Sequence, residues 1–443
     1  MKTICAARHE NRKGKTKMKK LLMMIGAAAV AVGANALTYT DGSGIAWTFT
    51  ASGSNATLGD GSAACIATGT AVDAANIPWT FTYDDNDYTV TAIAAKAFKG
   101  CTELSGTLTI PDAVTSIGES AFSGCTKLTG LASLGGITDV QDTAFYNCSG
   151  LKYYPDLSRV IRIGKNTFQN CTMGGEAILT SLTSARDRAF HNATITNVVF
   201  NRNAAYLIGN YLFCNCTQLT GMYIPGPDSG SSKAEIRRNA FVQGCTALKV
   251  FLAGPLTELY KSYDSDASTT FTDVAGCRIF VPEDSNWHQL TNGTAYAANN
   301  TFLYYGAGRE LDFSFDHDTK AITAMPATAH ALTNVLNAAS IFKSQFGYDT
   351  RIVMTNAIEV AEGTITDALL SGVAFESLIF NVKTQAQLDM VMAATAGVTT
   401  PLCIDPTGAK QQMTVPADRR VWVLLSGDGK YTPKISGLII SFH

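Results

Sequence analysis

Through the middle of this chain the apolar positions follow neither a strand's two-residue step nor a helix's 3.6-residue step for long; they return as a block. The block reads Ala-Phe-x-Gly/Asn-Cys. It stands at Ala97-Phe98-Lys99-Gly100-Cys101, Ala121-Phe122-Ser123-Gly124-Cys125 and Ala144-Phe145-Tyr146-Asn147-Cys148. It returns at Thr167-Phe168-Gln169-Asn170-Cys171, Ala189-Phe190-His191-Asn192-Ala193, Leu212-Phe213-Cys214-Asn215-Cys216 and Ala240-Phe241-Val242-Gln243-Gly244-Cys245. Successive phenylalanines are 24, 23, 23, 22, 23 and 28 residues apart. Between them a leucine follows three residues after the cysteine position (Leu104, Leu128, Leu151, Leu219, Leu248). A β-prone run comes next, clearest at Leu108-Thr109-Ile110-Pro111 and Met222-Tyr223-Ile224-Pro225, and Ile-Gly precedes the next block at Ile117-Gly118, Ile163-Gly164 and Ile208-Gly209. Each unit is predicted to hold one strand, one turn and one short irregular or 3₁₀ return segment, with Phe and Leu pointing inward. No single unit can shelter that apolar side from water, so the units must stack into a solenoid.

Ile-Gly-x-x-Ala-Phe-x-Gly-Cys-x-x-Leu at this period resembles the BspA-like leucine-rich repeat family, over about residues 90–282. The resemblance implies a mainly β, right-handed, curved solenoid on a bacterial surface or secreted protein, with a role in adhesion or in binding host or neighbouring-cell proteins. Two units depart from the pattern. No clear Ile-Gly precedes Ala189-Phe190, and the stretch from Gly226 to Ala234 lengthens the sixth unit.

The flanks read differently. Residues 37–89, rich in Thr, Ser, Gly and Ala with strands expected at Ala46–Thr50 and Trp79–Tyr83, suit an N-terminal β cap over the open end of the solenoid. A last strand is expected at Arg278–Pro282, and residues 283–308 form a C-terminal cap or linker. From 309 to 443 the period is gone. Leu332, Val335, Leu336, Ala339, Phe342 and Phe346 mark one face of a helix, Leu388, Val391 and Met392 mark a second, and short β-prone runs surround them. This reads as a separate C-terminal α/β or α+β domain.

The N-terminus carries a sorting signal by the same patterning logic. Lys19 and Lys20 precede an apolar run from Leu21 to Val32, and Ala34-Asn35-Ala36 offers small residues at the two positions a signal peptidase reads. Residues 1–36 are thus a signal peptide, starting at Met1 or at Met18, and the run is too short to serve comfortably as a membrane span. Removing it leaves 26 basic against 35 acidic side chains. An acidic chain lacks the clustered positive charge that nucleic acid or an anionic membrane demands, and no other stretch is long enough to be an integral membrane segment. With 46% hydrophobic and 16% charged residues the chain is globular rather than disordered.

Reactive chemistry is thin. Ten cysteines remain after residue 36, but six share one rung of successive coils and the fifth coil has Ala193 there. A position that takes Cys or Ala wants a small apolar group, so buried thiols are expected rather than disulfides. Of the off-rung residues Cys65, Cys214, Cys277 and Cys403, Cys214 is the one expected to be exposed. His191, His288, His317, His330 and His443 are scattered, and Asp316-His317-Asp318 reads as a solvated turn. Asp84-Asp85-Asn86-Asp87 and Asp264-Ser265-Asp266 read as acidic turns without a calcium-loop pattern. No dinucleotide fingerprint, Walker loop, nucleophile elbow or His-Glu-x-x-His helix occurs. No catalytic residue, metal ligand or cofactor is expected.

What remains is surface. Strand side chains alternate, so the residues between buried ones project from the concave sheet: Thr109, Lys152, Tyr153, Val199, Tyr223 and Leu252. Tyrosine and aliphatic groups on a rigid sheet suit a protein partner. The expectation is an exported, non-enzymatic protein-binding or adhesion module. The alternatives are a secreted enzyme with its active site in 309–443, targeted by the repeats, and a structural component of the envelope.

Overall fold

The computed structural model describes residues 36–200, 207–226, 234–237, 244–255, 257–259, 271, 274–283, 299–361, 363–371, 373–409, 412–415, 421–424, 431–434 and 439–440. The signal expected in residues 1–36 lies almost wholly outside them, as do Phe241, His288, His443 and Asp264-Ser265-Asp266.

The described residues begin with a cap. Strands β1 (Leu37–Thr40), β2 (Ala46–Ser52) and β3 (Asn55–Leu58) form an antiparallel meander; β4 (Val72–Asp73) leads into a 3₁₀ turn at Ala74–Asn76, and β5 (Thr80–Tyr83) and β6 (Asn86–Ile93) make a hairpin. Asp84 and Asp85, the acidic pair of the sequence, form its two-residue loop with φ of 49° and 64°. Positive φ at both central residues is what a type I′ turn needs, and Asp tolerates it better than most residues. Trp47 and Phe49 of β2 are fully buried, and Trp47 sets its edge against Phe98 of the first coil at 6.3 Å. The cap thus closes the repeat core with its own aromatic layer.

All but one of the next coils contribute a long and a short strand. In order these are β7 (Leu104–Ile110) and β8 (Ser116–Ile117), β9 (Leu128–Leu134) and β10 (Asp139–Val140), β11 (Arg162–Ile163) alone in the third coil, β12 (Gly174–Leu179) and β13 (Ser184–Ala185), and β14 (Thr194–Phe200) and β15 (Leu207–Ile208). They continue with β16 (Gly221–Ile224) and β17 (Ala234–Ile236), then β18 (Val250–Ala253) and β19 (Thr257–Leu259), and end at β20 (Arg278–Pro282). The short strands stack in parallel from β6 through β8, β10, β11, β13, β15 and β17 to β19. The long strands stack in three groups, β4-β7-β9, β12-β14 and β16-β18-β20, with a single bridge from Tyr153 to Gly174 marking the third coil.

The block between short and long strand is a turn, the irregular form of the two expected and not the 3₁₀ form, and backbone sign explains it. The residue before each Ala-Phe (Lys96, Ser120, Thr143, Asn166, Arg188, Tyr211) and the Gly or Asn before each rung (Gly100, Gly124, Asn147, Asn170, Asn192, Asn215) are all left-handed. Two left-handed residues within one turn bar a helix of either pitch. The turns instead bond to the next coil: Phe98, Phe122, Phe145, Phe168 and Phe190 N–H groups donate to the carbonyls of Ala121, Ala144, Thr167, Ala189 and Leu212 at 2.6–3.1 Å. Inside, the rings of Phe98, Phe122, Phe145, Phe168, Phe190 and Phe213 lie face to face, 4.8–5.8 Å apart and within 15° of parallel. Stacked coils set each ring against those of the coils before and after it, and an offset stack is a favourable aromatic geometry.

Beyond β20 the sheet does not stop. It runs through β21 (Thr301–Tyr305), β22 (Leu311–Asp316), β23 (Ala321–Pro326), β24 (Asp349–Val353), β26 (Ala374–Asn381), β27 (Leu402–Asp405), β29 (Val421–Leu424) and β30 (Tyr431–Lys434), with β25 (Ile358–Glu359) beside β26 and a separate pair of β28 (Met413–Thr414) and β31 (Ile439–Ile440). Helix α1 (Ala329–Phe346) connects β23 to the parallel β24, and α2 (Asp367–Leu370) and α3 (Gln385–Ala394) flank β26 in sequence. Thr328 caps α1 and Thr384 closes a capping box with Gln387 on α3. The boundary drawn at 309 therefore falls inside one sheet, and a second apolar core fills its outer side.

Candidate binding surface

Alternation assigns the faces of the long strands. In β16, β18 and β20, Met222, Ile224, Phe251, Ala253, Ile279 and Val281 enter the core of the solenoid, while Tyr223, Val250, Leu252 and Phe280 point the other way into the second core. Tyr223 and Leu252 were expected on an open face, and the structure overturns this: they are 6% and 0% exposed. They point away from the solenoid core, into the second core that holds α1 and β22. Tyr223 stacks on Phe315 at 5.8 Å and meets Phe346 and Tyr348 at 5.6 and 5.5 Å. Arg278 donates to Asn334 Oδ1 of α1 at 3.1 Å, and the Tyr305 hydroxyl donates to the Ala253 carbonyl at 2.6 Å.

The helix seats itself at Gly221. A Cβ there would stand 2.7 Å from Ile341 Cγ2 and 3.2 Å from Gln345 Cβ, so only glycine lets α1 approach β16 this closely. The sequence did hold a signal. Met222-Tyr223-Ile224 and Val250-Phe251-Leu252-Ala253 are apolar at every position, the mark of a strand buried on both faces.

Ahead of α1 the same face is bare. Thr109, Lys152 and Tyr153 are exposed, Tyr153 by 71%, and Val199 is half-buried. Ile178, 37% exposed and paired with Val199 across β12 and β14, belongs with them, and the alternation of Glu176-Ala177-Ile178-Leu179 is the signal in the sequence that points to it. Beside that pair, Asn197 Nδ2 donates to Glu176 Oε1 at 2.6 Å. In the third coil the long strand shrinks to the single bridge of Tyr153 with Gly174, and the phenol ring stands exposed there.

The residues with reactive side chains are placed for structure. Cys214, expected exposed, is 3% exposed, and Cys403 alone among the described cysteines is not fully buried. The described cysteines are thiols, not disulfides. Rung thiols donate to the phenylalanine carbonyl of the preceding coil: Cys125 to Phe98, Cys148 to Phe122, Cys171 to Phe145, Cys216 to Phe190 and Cys245 to Phe213, at 2.9–3.2 Å. Burial pushes the Cys101 thiol up to about 11. Asp316 accepts from the Asp318 and Thr319 N–H groups in the turn between β22 and β23, and His317 Nδ1 bonds the Tyr348 hydroxyl at 2.7 Å. Among the described residues no three His, Cys, Asp or Glu side chains gather closely enough to hold a metal ion. A cleft of about 370 Å³ between the ends of β26 and α3 is lined by Leu370, Val373, Phe375, Val398 and hydroxyl residues, with no titratable group.

Known proteins bear on the repeats. A family model described as BspA type leucine rich repeat region matches in 6 copies, over residues 91–220 and 138–263. Residues 91–263 are a BspA-type leucine-rich repeat region. Among curated proteins none matches the chain. Among solved structures, a leucine rich cell surface protein from Faecalibacterium prausnitzii aligns at 16% identity over 61% of this chain and 96% of its own, with a TM-score of 0.31. A leucine-rich repeat protein from Bacteroides ovatus aligns at 17% over 73% and 85%, with a TM-score of 0.28. The pneumococcal vaccine antigen PcpA aligns at 14% over 61% and 99%, with a TM-score of 0.25. The BspA-type region supplies the bare face, and no helix among the described residues is long and apolar enough to cross a membrane.

Proposed function

We propose that this is an exported protein that binds other proteins, as an adhesin or surface-binding module, through the bare long-strand face of its first five coils. Tyr153 carries the reading. A tyrosine 71% exposed on a rigid stacked backbone loses little entropy on contact and offers both an apolar ring and a hydroxyl. Thr109, Lys152, Val199 and Ile178 surround it on the same face with mixed polar and aliphatic groups, the composition of a protein interface. Export rests on the signal-like residues 1–36 and on the BspA-type repeats.

The test is a photo-crosslinking residue placed at Tyr153, with Ser184 on the short-strand face as the comparison. Protein adducts formed from position 153 and not from 184, on intact cells, are the expected result. Equal adducts from both positions, or none from 153, would remove the face from the account.

A further inference from the structure

The bare face and the covered face belong to one surface, and the covered part shows what such a surface accepts. Outward residues run across the strands as an apolar row, Tyr223 beside Leu252 beside Phe280, and the amphipathic helix α1 lies on it. β14 lies next to β16, and α1 reaches as far as β14. There the helix layer ends but the apolar surface does not: Val199 of β14 and Ile178 of β12 continue it, and Tyr153 stands in the next coil. Tyr153 and Ile178 are two of only four large apolar side chains among the described residues that remain exposed.

We propose that this uncovered extension, Tyr153, Ile178 and Val199, docks an amphipathic helix of a partner protein, laid along the strands beside α1. The proposal rests on the reading that the long-strand face binds proteins. Its geometry is that of a helix. Tyr153 pairs with Gly174, and Ile178 lies four residues further along the strand, about 13 Å at 3.3 Å per residue. A helix covers that distance in about nine residues, so two apolar side chains some two turns apart on one stripe can meet Tyr153 and Ile178 together. Val199, alongside Ile178, widens the far contact.

The test uses the full chain and two displayed peptide libraries, one of stapled 18-residue helices and one of extended proline-rich segments of the same length. Selected binders are measured on the parent chain and on Ile178→Lys, Tyr153→Ala, Thr109→Lys and, on the opposite face, Ser116→Lys. Stapled helices with an apolar stripe should be enriched, lose tenfold or more in affinity on Ile178→Lys and Tyr153→Ala, and be indifferent to Ser116→Lys. Unchanged thermal midpoints of these surface variants control for folding. Enrichment of extended segments instead overturns the proposal, as do helices that respond to Thr109→Lys and not to Ile178→Lys. Both outcomes leave the broader protein-binding reading in place, whereas failure of the crosslinking at Tyr153 on cells removes that reading even if the helices bind.

Discussion

One rung position shows how much a single residue type can say and withhold. Its tolerance of Cys and Ala indicates small size, which the pattern alone conveys. The donation of each thiol to a phenylalanine carbonyl one coil back depends on how the coils register, and no spacing along the chain reveals it. Ala193, the one rung without a thiol, lies between the rungs of Cys171 and Cys216. Tyr154 reaches in between the rungs of Cys171 and Cys216, its ring against Phe168 and Phe190, and its hydroxyl is buried with no partner among the described residues. An orphaned buried hydroxyl costs about 1–3 kcal/mol, so Tyr154→Phe should stabilise the chain by roughly 1 kcal/mol in denaturant unfolding. A loss of stability would show that the hydroxyl has a partner. The rung thiols make a second prediction through pH. Burial raises the pKa of Cys101, and likewise of Cys171 and Cys216, so the folded chain keeps protons that the unfolded chain releases. This stabilisation is whole below the unfolded thiol value of about 8.5 and declines as pH rises past it towards the folded values. The thermal midpoint should therefore fall between pH 8 and 10.5, and Cys171→Ala with Cys216→Ala should make the fall shallower. Parallel slopes for parent and variant would contradict the assignment.

At the level of the coil, the left-handed positions and the side chains that fill them decide the shape. Asn170, Asn192 and Asn215 donate through Nδ2 to the Oδ1 of Asn147, Asn170 and Asn192 at 2.6–2.8 Å, a ladder along one edge of the solenoid. Asn is suited to both tasks, since it tolerates positive φ and carries donor and acceptor. The two contributions separate by substitution. Asn192→Gly loses the ladder and keeps the backbone, while Asn192→Ala loses the ladder and strains a residue at φ 59°. Ala should cost about 1 kcal/mol more than Gly in equilibrium unfolding. Equal losses would mean that the ladder, not the backbone sign, is what matters here. The 23-residue period, the Phe stack and the strand sites were legible because each follows from one coil repeating another. The second, two-residue strand was not. Ser116-Ile117 or Ser184-Ala185 is too short to show alternation, and it exists only because neighbouring coils hold it.

The whole molecule is where the reading from sequence went furthest astray, and Tyr223 and Leu252 show why. Sequence pattern fixes which side of a strand a residue takes, but what stands on that side is a long-range matter, here a helix more than 70 residues downstream of Leu252. The all-apolar runs of β16 and β18 were the available sign, against the alternating Glu176-Ala177-Ile178-Leu179 of β12, where the outer face stays bare. It follows that residues 309–443 stabilise the repeat region they follow. A chain ending at 308 would expose Tyr223, Val250, Leu252 and Phe280, each worth about 1.5–3 kcal/mol when buried. It should bind a hydrophobic dye, self-associate at micromolar concentration and melt well below the full chain. Tyr223→Ser with Leu252→Thr should restore solubility to the shortened chain and destabilise the full one, because the same two positions would then be outer surface in one and core in the other. A milder lesion tests the same contact in the intact chain. Gly221→Val puts a branched side chain where Ile341 now stands and should cost about 1–3 kcal/mol as α1 is pushed off β16. If the shortened chain were instead monomeric, dye-negative and as heat-resistant as the whole, the second core would have to be credited with nothing outside itself, and the bare face could extend through coil 7.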